Sequence, residues 1–276
     1  MSNYGLTIKV VNAILFLALF GDYLYSVFKF GKLPHHGDPT LGNHPTIITP
    51  APYSFYIWYL INFLFFGFII YQFFPDANDV VVNGIKWHFL AFAILNLLSV
   101  QFWLKDDLII SWLVTAVLLS QISFVYYRIR NEFPANTLLD KIFVHAPLTM
   151  YHAWTVVILV ITSFAAFIPE DDEKQPDEEE RQISLVHYLW VFVAFVVLEG
   201  NMWAYNIFGD GDALGGLAIA WAFFGISQGQ HETELIHVSA RVLAIFTIAY
   251  SANPLIKKFT GSGYRSTGGE NAPLLS

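Results

Sequence analysis

Eight apolar stretches follow one another along the chain, at roughly 6–30, 54–74, 87–104, 108–130, 143–168, 185–208, 213–230 and 235–256. They leave little sequence for anything else. A bilayer core of about 30 Å needs about 20 apolar residues per crossing helix. Lipid offers no hydrogen bonds, so each crossing segment has to satisfy its own backbone, which a helix does. The sequence therefore predicts an all-α, polytopic transmembrane helix bundle of about eight spans, one domain over 1–258, with a flexible tail at 259–276. The composition agrees: 55% of residues are apolar and 13% charged. The mean hydropathy is +0.51. A soluble domain carries about 25% charged residues.

The separators read as loops. They are Gly31 to Tyr53, Pro75 to Asn83, a bare Lys105-Asp106-Asp107 turn, Asn131 to Lys141, an acidic loop over 169–184, and Gly209-Asp210-Gly211-Asp212. Residues 170–181 hold eight acidic and two basic side chains, which accounts for −6 of the net charge of −8. Such a block reads as a solvated loop. No basic patch supports a nucleic-acid partner. With no cysteine, disulfides, thiolate catalysis and Cys-based metal sites are excluded. The first apolar run is too long for a cleaved signal core and reads as a retained helix.

With eight spans both termini share a side. That side carries Lys9, Lys86, Arg128, Arg130, Lys141, Lys257, Lys258 and Arg265, against Lys29, Lys32, Lys105, Lys174 and Arg181 on the other. The positive-inside rule then places both termini in the cytosol. The tail ends Glu270-Asn271-Ala272-Pro273-Leu274-Leu275, an acidic residue ahead of a Leu pair, as in the sorting signals that vesicle adaptors read. This pattern suggests an adaptor partner and a eukaryotic endosomal or vacuolar membrane. Small residues crowd the seventh span, where Gly211, Gly215, Gly216, Gly225 and Gly229 occur. Such spacing lets helix backbones approach closely, within the bundle or between two copies in a homodimer.

Polar groups at membrane depth carry the functional expectations. Glu199 and Arg241 lie well inside the sixth and eighth spans, where an unpaired charge costs about 3 kcal/mol or more; they are expected to pair or to face a wet cavity. His145 and His152 are seven apart, on one face of the fifth span. No HExxH-like spacing marks a metal site, and no metal is expected. Asn62, Asn96, Gln101, Gln121, Asn201 and Asn206 are amides that can join helices or line a pocket. Ser111, Ser120 and Ser123 lack a Gly-x-Ser-x-Gly context, so no nucleophilic triad assembles.

The stretch Ile48-Thr49-Pro50-Ala51-Pro52-Tyr53-Ser54-Phe55-Tyr56-Ile57-Trp58-Tyr59-Leu60-Ile61 resembles the loop-to-second-helix motif of the tryptophan-rich sensory protein/translocator (TspO/MBR) family. Asn96 to Trp103 is similar to that family's third helix, and Ala146 to Val156, with Tyr151, His152 and Trp154, to the fifth helix of its longer members. Leu217 to Ala222 resembles their late Ala/Trp segment. The compact members' doubled proline and Trp-Val-Phe-Pro stretch is replaced here by Tyr-Ser-Phe-Tyr. The acidic loop and three further spans have no counterpart in them. The resemblance implies a five-helix part at 1–168 with an intrabundle pocket roofed by the first loop, followed by a three-helix extension at 185–258. It also implies binding, sensing or transport of a flat hydrophobic metabolite, with a tetrapyrrole or a sterol as the ligand class. Carried over are Pro50, Tyr53, Phe55, Trp58, Asn96, Trp103, Tyr151 and Trp154; Asn62 and His152 join them as polar neighbours. Aromatic walls with a few amides suit such a ligand on physical grounds. Two other readings stay open: a membrane-embedded enzyme acting on a lipid or isoprenoid, with Glu199, His152 or His237 as acid/base, and a structural subunit.

Overall fold

The computed structural model describes residues 3–29, 44–168, 184–207 and 211–260, with side chains over all of these except 22–29 and 253–260. The remainder of the first loop, the acidic block at 170–181, Gly209-Asp210 and the Leu-pair tail lie outside the described residues. Eight long helices follow in order: α1 (Asn3–Lys29), α2 (Ile57–Tyr71), α3 (His88–Trp103), α4 (Leu108–Glu132), α5 (Ala146–Phe167), α6 (Leu185–Ile207), α7 (Ala213–Gly229) and α8 (Glu234–Thr260). No strand occurs among the described residues. Six helical stretches are long and apolar enough to cross a membrane, while α3 and α7 are shorter apolar helices. The chain is a multi-pass, all-helical membrane bundle.

Local chemistry sets the helix limits. Asp106 takes a positive φ of 63°, a backbone region that Asp enters more readily than most residues, and this closes the four-residue connection, Leu104 to Asp107, between α3 and α4. The fifth crossing begins earlier than its apolar run suggests. A capping box at Thr137, whose Oγ1 accepts from Asp140 N while Asp140 Oδ2 accepts from Thr137 N, starts a helix at Leu138. A π-turn at Lys141–His145 then leads into α5. The Tyr71 hydroxyl donates to Asp140 Oδ1 at 2.9 Å and ties the end of α2 to this start.

α5 is the centre of the bundle: every residue from Ala146 to Val157 is buried. It packs on α2, α4, α6 and α7, and α7 in turn lies against α6 and α8. α1 is fixed at the rim by polar groups. Asn12 Nδ2 donates to Gln72 Oε1 (3.3 Å), Gln72 Nε2 to the Lys9 carbonyl (3.0 Å) and Lys9 Nζ to Asn78 Oδ1 (3.0 Å). Exposed apolar side chains such as Phe63 and Phe66 of α2, Phe192 of α6 and Ile245 of α8 form the belt that lipid covers. The chain's apolar surplus is therefore turned outward as well as inward.

The glycines of α7 are engaged within the chain. A Cβ on Gly215 would enter the Tyr205 ring, and one on Gly216 would come within 1.9 Å of Ser251 Oγ. One on Gly225 would come within 2.0 Å of Ser54 Oγ, and one on Gly229 within 2.4 Å of the Thr49 carbonyl oxygen. Small residues here let α6, α8 and the loop before α2 close onto one helix.

Candidate functional site

The Pro-bearing stretch ahead of Trp58 turns into the protein. Thr46, Ile47, Ile48, Pro50, Ala51, Ser54 and Phe55 are buried, and Pro52–Tyr56 forms a short 3-10 helix. Non-helical backbone is tolerated at membrane depth where protein covers it, and α7 supplies that cover. Ala51 N donates to the Gly225 carbonyl (2.9 Å) and Trp221 Nε1 to the Ser54 carbonyl (2.8 Å). Gln230 Nε2 reaches the Thr46 and Thr49 carbonyls at 3.1 and 3.0 Å. Sequence reasoning placed the stretch as a roof over the five-helix part; its fastening to α7 comes from the extension.

The aromatic residues fall into three groups. Around α5, Tyr151 is enclosed by Trp58, Phe65 and Phe92, with ring centroids 5.8, 5.8 and 5.9 Å away, and its hydroxyl accepts from Asn96 Nδ2 at 2.9 Å. Here the rings satisfy one another. Under the turn, Phe55 meets Trp154 edge-on at 5.8 Å, while Tyr53 meets Trp221 at 5.6 Å and Phe224 at 6.2 Å. Trp154 is fully buried. Three polar groups in this zone have no partner among the described residues: Trp154 Nε1, Tyr53 OH and Ser54 Oγ. A buried donor without an acceptor costs about 1–3 kcal/mol. The third group is apart from both: Trp103 packs against His44 at 4.9 Å, and its Nε1 is likewise unpartnered. Asn62 turns back to the Trp58 carbonyl of its own helix at 2.8 Å, as an amide does when no neighbour claims it.

A polar node that the sequence did not reveal lies at the end of the bundle where α4 finishes and α7 starts. Asp212 Oδ2 accepts from Thr149 Oγ1 (2.7 Å), Arg130 Nη1 (2.8 Å) and Tyr126 OH (3.1 Å). Gly211, at φ 78°, takes a backbone geometry open to glycine, and Asp212 N returns to the Tyr205 carbonyl at 2.7 Å. Beside the node, the Tyr126 and His152 rings stack at 4.9 Å and 8°. The Ser123 hydroxyl donates to the Leu119 carbonyl (2.7 Å), so it accepts from His152 Nε2 (2.8 Å), and His152 Nδ1 accepts from Tyr205 OH. Ser123 thus has its proton directed at backbone, away from the imidazole, and is not primed as a nucleophile. Arg130 and Asp212 had read only as a loop-side charge and a linker residue. The one available signal was that both belong to the same side of an eight-span chain.

The pairing expected between Glu199 and Arg241 is not formed. Glu199 Oε1 accepts from Thr247 Oγ1 at 2.7 Å, whereas Arg241 is exposed on α8. Arg241 and Thr247 are six residues apart, which puts them on different faces of that helix. Ion pairs among the described residues include His44–Asp106, Arg128–Glu132 and Arg130–Asp212, and none of these three involves Glu199 or Arg241. His237 lies on the Ser227 carbonyl at 2.6 Å, where it joins the ends of α7 and α8.

No curated protein and no solved structure gives a significant match to the chain. A family model described as TSPO-like protein matches residues 9–252, which takes in the three helices of the extension along with the first five. With the bundle, the inward turn and the aromatic core in place, that match identifies the protein as a member of the TSPO-like family.

Proposed function

We propose that the protein binds a flat, apolar metabolite carrying a hydrogen-bond acceptor, of tetrapyrrole or sterol type, between the Pro50–Tyr56 turn, α5 and α7, and that it serves to sense or transport that molecule. The observation that carries this reading is the Trp154 indole N–H: fully buried, flanked by the Phe55 ring, and without an acceptor among the described residues. An indole can only donate, so a ligand oxygen or ring nitrogen suits it. Tyr53 OH and Ser54 Oγ on the same turn supply further unpartnered groups. The aromatic faces of Phe55, Trp154, Tyr53 and Trp221 suit a planar molecule. The Tyr151 cluster, already closed on itself, acts as the wall behind this seat.

The test is binding of a tetrapyrrole and of a sterol to the purified full-length protein. Trp154→Phe keeps an aromatic ring at the site but removes the N–H together with the five-membered ring that carries it; a lost hydrogen bond of about 1 kcal/mol weakens binding roughly five-fold. Trp58→Ala and Asn96→Leu disturb the wall and weaken it as well. Absence of binding to wild type, or binding that none of the three changes alters, overturns the reading.

Both termini are proposed to face the cytosol, in an endosomal or vacuolar membrane, where the Leu-pair tail is available to a vesicle adaptor. The charge distribution between the two sides supports this orientation. Because the chain has no cysteine, a single cysteine at Lys86 or at Lys105 can be labelled without background. In sealed vesicles with the cytosolic face outward, an impermeant maleimide is expected to label the first and not the second; the reverse result inverts the topology.

A further inference from the structure

The three-helix extension holds a second set of unpartnered polar atoms, well away from the turn. Glu199 of α6 is a carboxyl at membrane depth. Its Oε1 is bound by Thr247, and its Oε2 is enclosed with no partner among the described residues. A carboxylate held by one neutral hydrogen bond in an apolar setting is strongly disfavoured, and such groups neutralise instead. Among the described residues no cation does this. α7 (Ala213–Gly229) has no ionisable side chain. Of the ionisable side chains described on α8, Glu234 and Arg241 are exposed, His237 is bound to Ser227, and Tyr250 stacks on Trp203 at 5.0 Å. On α5, His152 is held between Ser123 and Tyr205.

The neighbouring polar atoms form a row. Glu199 and Asn206 are seven residues, two helical turns, apart and share a face of α6. Thr247 and Ser251 do the same one turn apart on α8. Asn206 Oδ1 and Ser251 Oγ are also buried and unpartnered among the described residues. Thr247 and Ser251 are both fully buried. Gly216 lets the two chains of groups meet: a side chain there would lie 1.9 Å from Ser251 Oγ and 3.3 Å from Asn206 Nδ2. The row runs from Glu199 toward the end of α6 at Ile207, the end of the bundle that also carries the start of α1 and the Asp212 node.

We propose that Glu199 is a proton-binding site inside the membrane, loaded and emptied from the N-terminal end of the bundle along Thr247, Ser251 and Asn206. The carboxyl takes up a proton on the free oxygen, and Thr247 holds the other oxygen in place in both states. A proton suits the site better than a metal cation, since one carboxyl and one hydroxyl that already donates to it make a poor cage. The row of open acceptors gives a proton, or a water carrying it, successive partners where apolar side chains would give none. This site lies in the extension and uses none of the residues that seat the proposed ligand, so ligand binding and proton binding can fail separately.

The experiment uses the full-length protein reconstituted in liposomes. A hydrophobic carbodiimide, which reacts with protonated carboxyls in lipid, is expected to form an adduct at Glu199 located by peptide mapping. Its yield is expected to fall as pH rises through one titration, and Glu199→Gln abolishes it. Infrared difference spectra between low and high pH provide a readout that needs no reagent access: a protonated-carboxyl band is expected in wild type, shifted in heavy water, lost in Glu199→Gln and retained, displaced, in Glu199→Asp. Ser251→Ala with Asn206→Leu is expected to slow deuterium exchange of that band several-fold without removing it. A wild-type protein with no titrating carboxyl band attributable to Glu199, or a band and adduct unchanged in Glu199→Gln, overturns the proposal. Loss of ligand binding with the band intact overturns only the ligand reading.

Discussion

At the scale of single residues, the bundle depends on polar groups that have only one arrangement open to them. Asp212 accepts three hydrogen bonds on one oxygen, one of them from the Arg130 guanidinium. Removing one member of a buried ion pair leaves the other uncompensated, which costs about 3–5 kcal/mol, whereas removing both charges is often close to neutral. Asp212→Ala is therefore expected to lower stability by about 3 kcal/mol, measured by denaturant or thermal unfolding in detergent. Asp212→Asn combined with Arg130→Gln is expected to cost less than Asp212→Ala alone, a non-additivity that double-mutant analysis resolves. If the double variant is the worse of the two, the node is a set of independent hydrogen bonds and not a charge pair. The Ser123–His152–Tyr205 chain belongs to the same logic. Each donor in it has an acceptor, which makes it a brace between α4, α5 and α6.

At the scale of elements, α7 explains how the first loop can enter the bundle. Its 17 residues span roughly 26 Å at 1.5 Å per residue, short of a hydrocarbon core of about 30 Å. The shortfall is tolerated because protein covers both ends. Asp212 and its partners sit at the first, and Gln230, bound to the Thr46 and Thr49 carbonyls, sits at the second. Gly229 faces backbone at Thr49, Pro50 and Ala51. A side chain at Gly225 would mainly meet the Ser54 hydroxymethyl group and the Pro50 Cβ. Backbone yields less readily than a side chain, so overpacking, worth about 1–3 kcal/mol, is expected to be more severe for Gly229→Ala. Hydrogen exchange across residues 44–56 is expected to rise in Gly229→Ala and less in Gly225→Ala. Equal protection in both variants and wild type would mean that the turn does not rest on α7 in solution.

At the scale of the whole molecule, five helices plus three is a sequence boundary more than a structural one. The turn of the first part is held by α7, Asp212 closes onto α4 and α5, and His152 of α5 bonds Tyr205 of α6. A chain ending at residue 168 would uncover Tyr53, Ser54 and the Thr46 and Thr49 carbonyls, and leave Arg130 without its carboxylate. It is expected to run as aggregate on gel filtration under conditions where the full chain is monodisperse. A monodisperse 1–168 fragment would show that the first five helices are self-sufficient.

The apolar runs alone determined that this chain is a bundle of about eight crossing helices, because segment length and backbone hydrogen bonding in lipid leave no other form for them. The order of aromatic motifs around Pro50, Trp58, Asn96 and Trp154 was enough to point to the family. Which polar group meets which was decided only by the tertiary structure. A helix with an apolar surface all round carries no periodic signal of which face points inward, so Glu199 and Arg241 looked like partners until α8 was seen to present Thr247 instead. Likewise Asp212 looked like a linker residue until Gly211 turned it onto α4 and α5. Hydropathy measures how much of a segment lipid will accept; it contains no record of helix rotation, and rotation sets every contact between the spans.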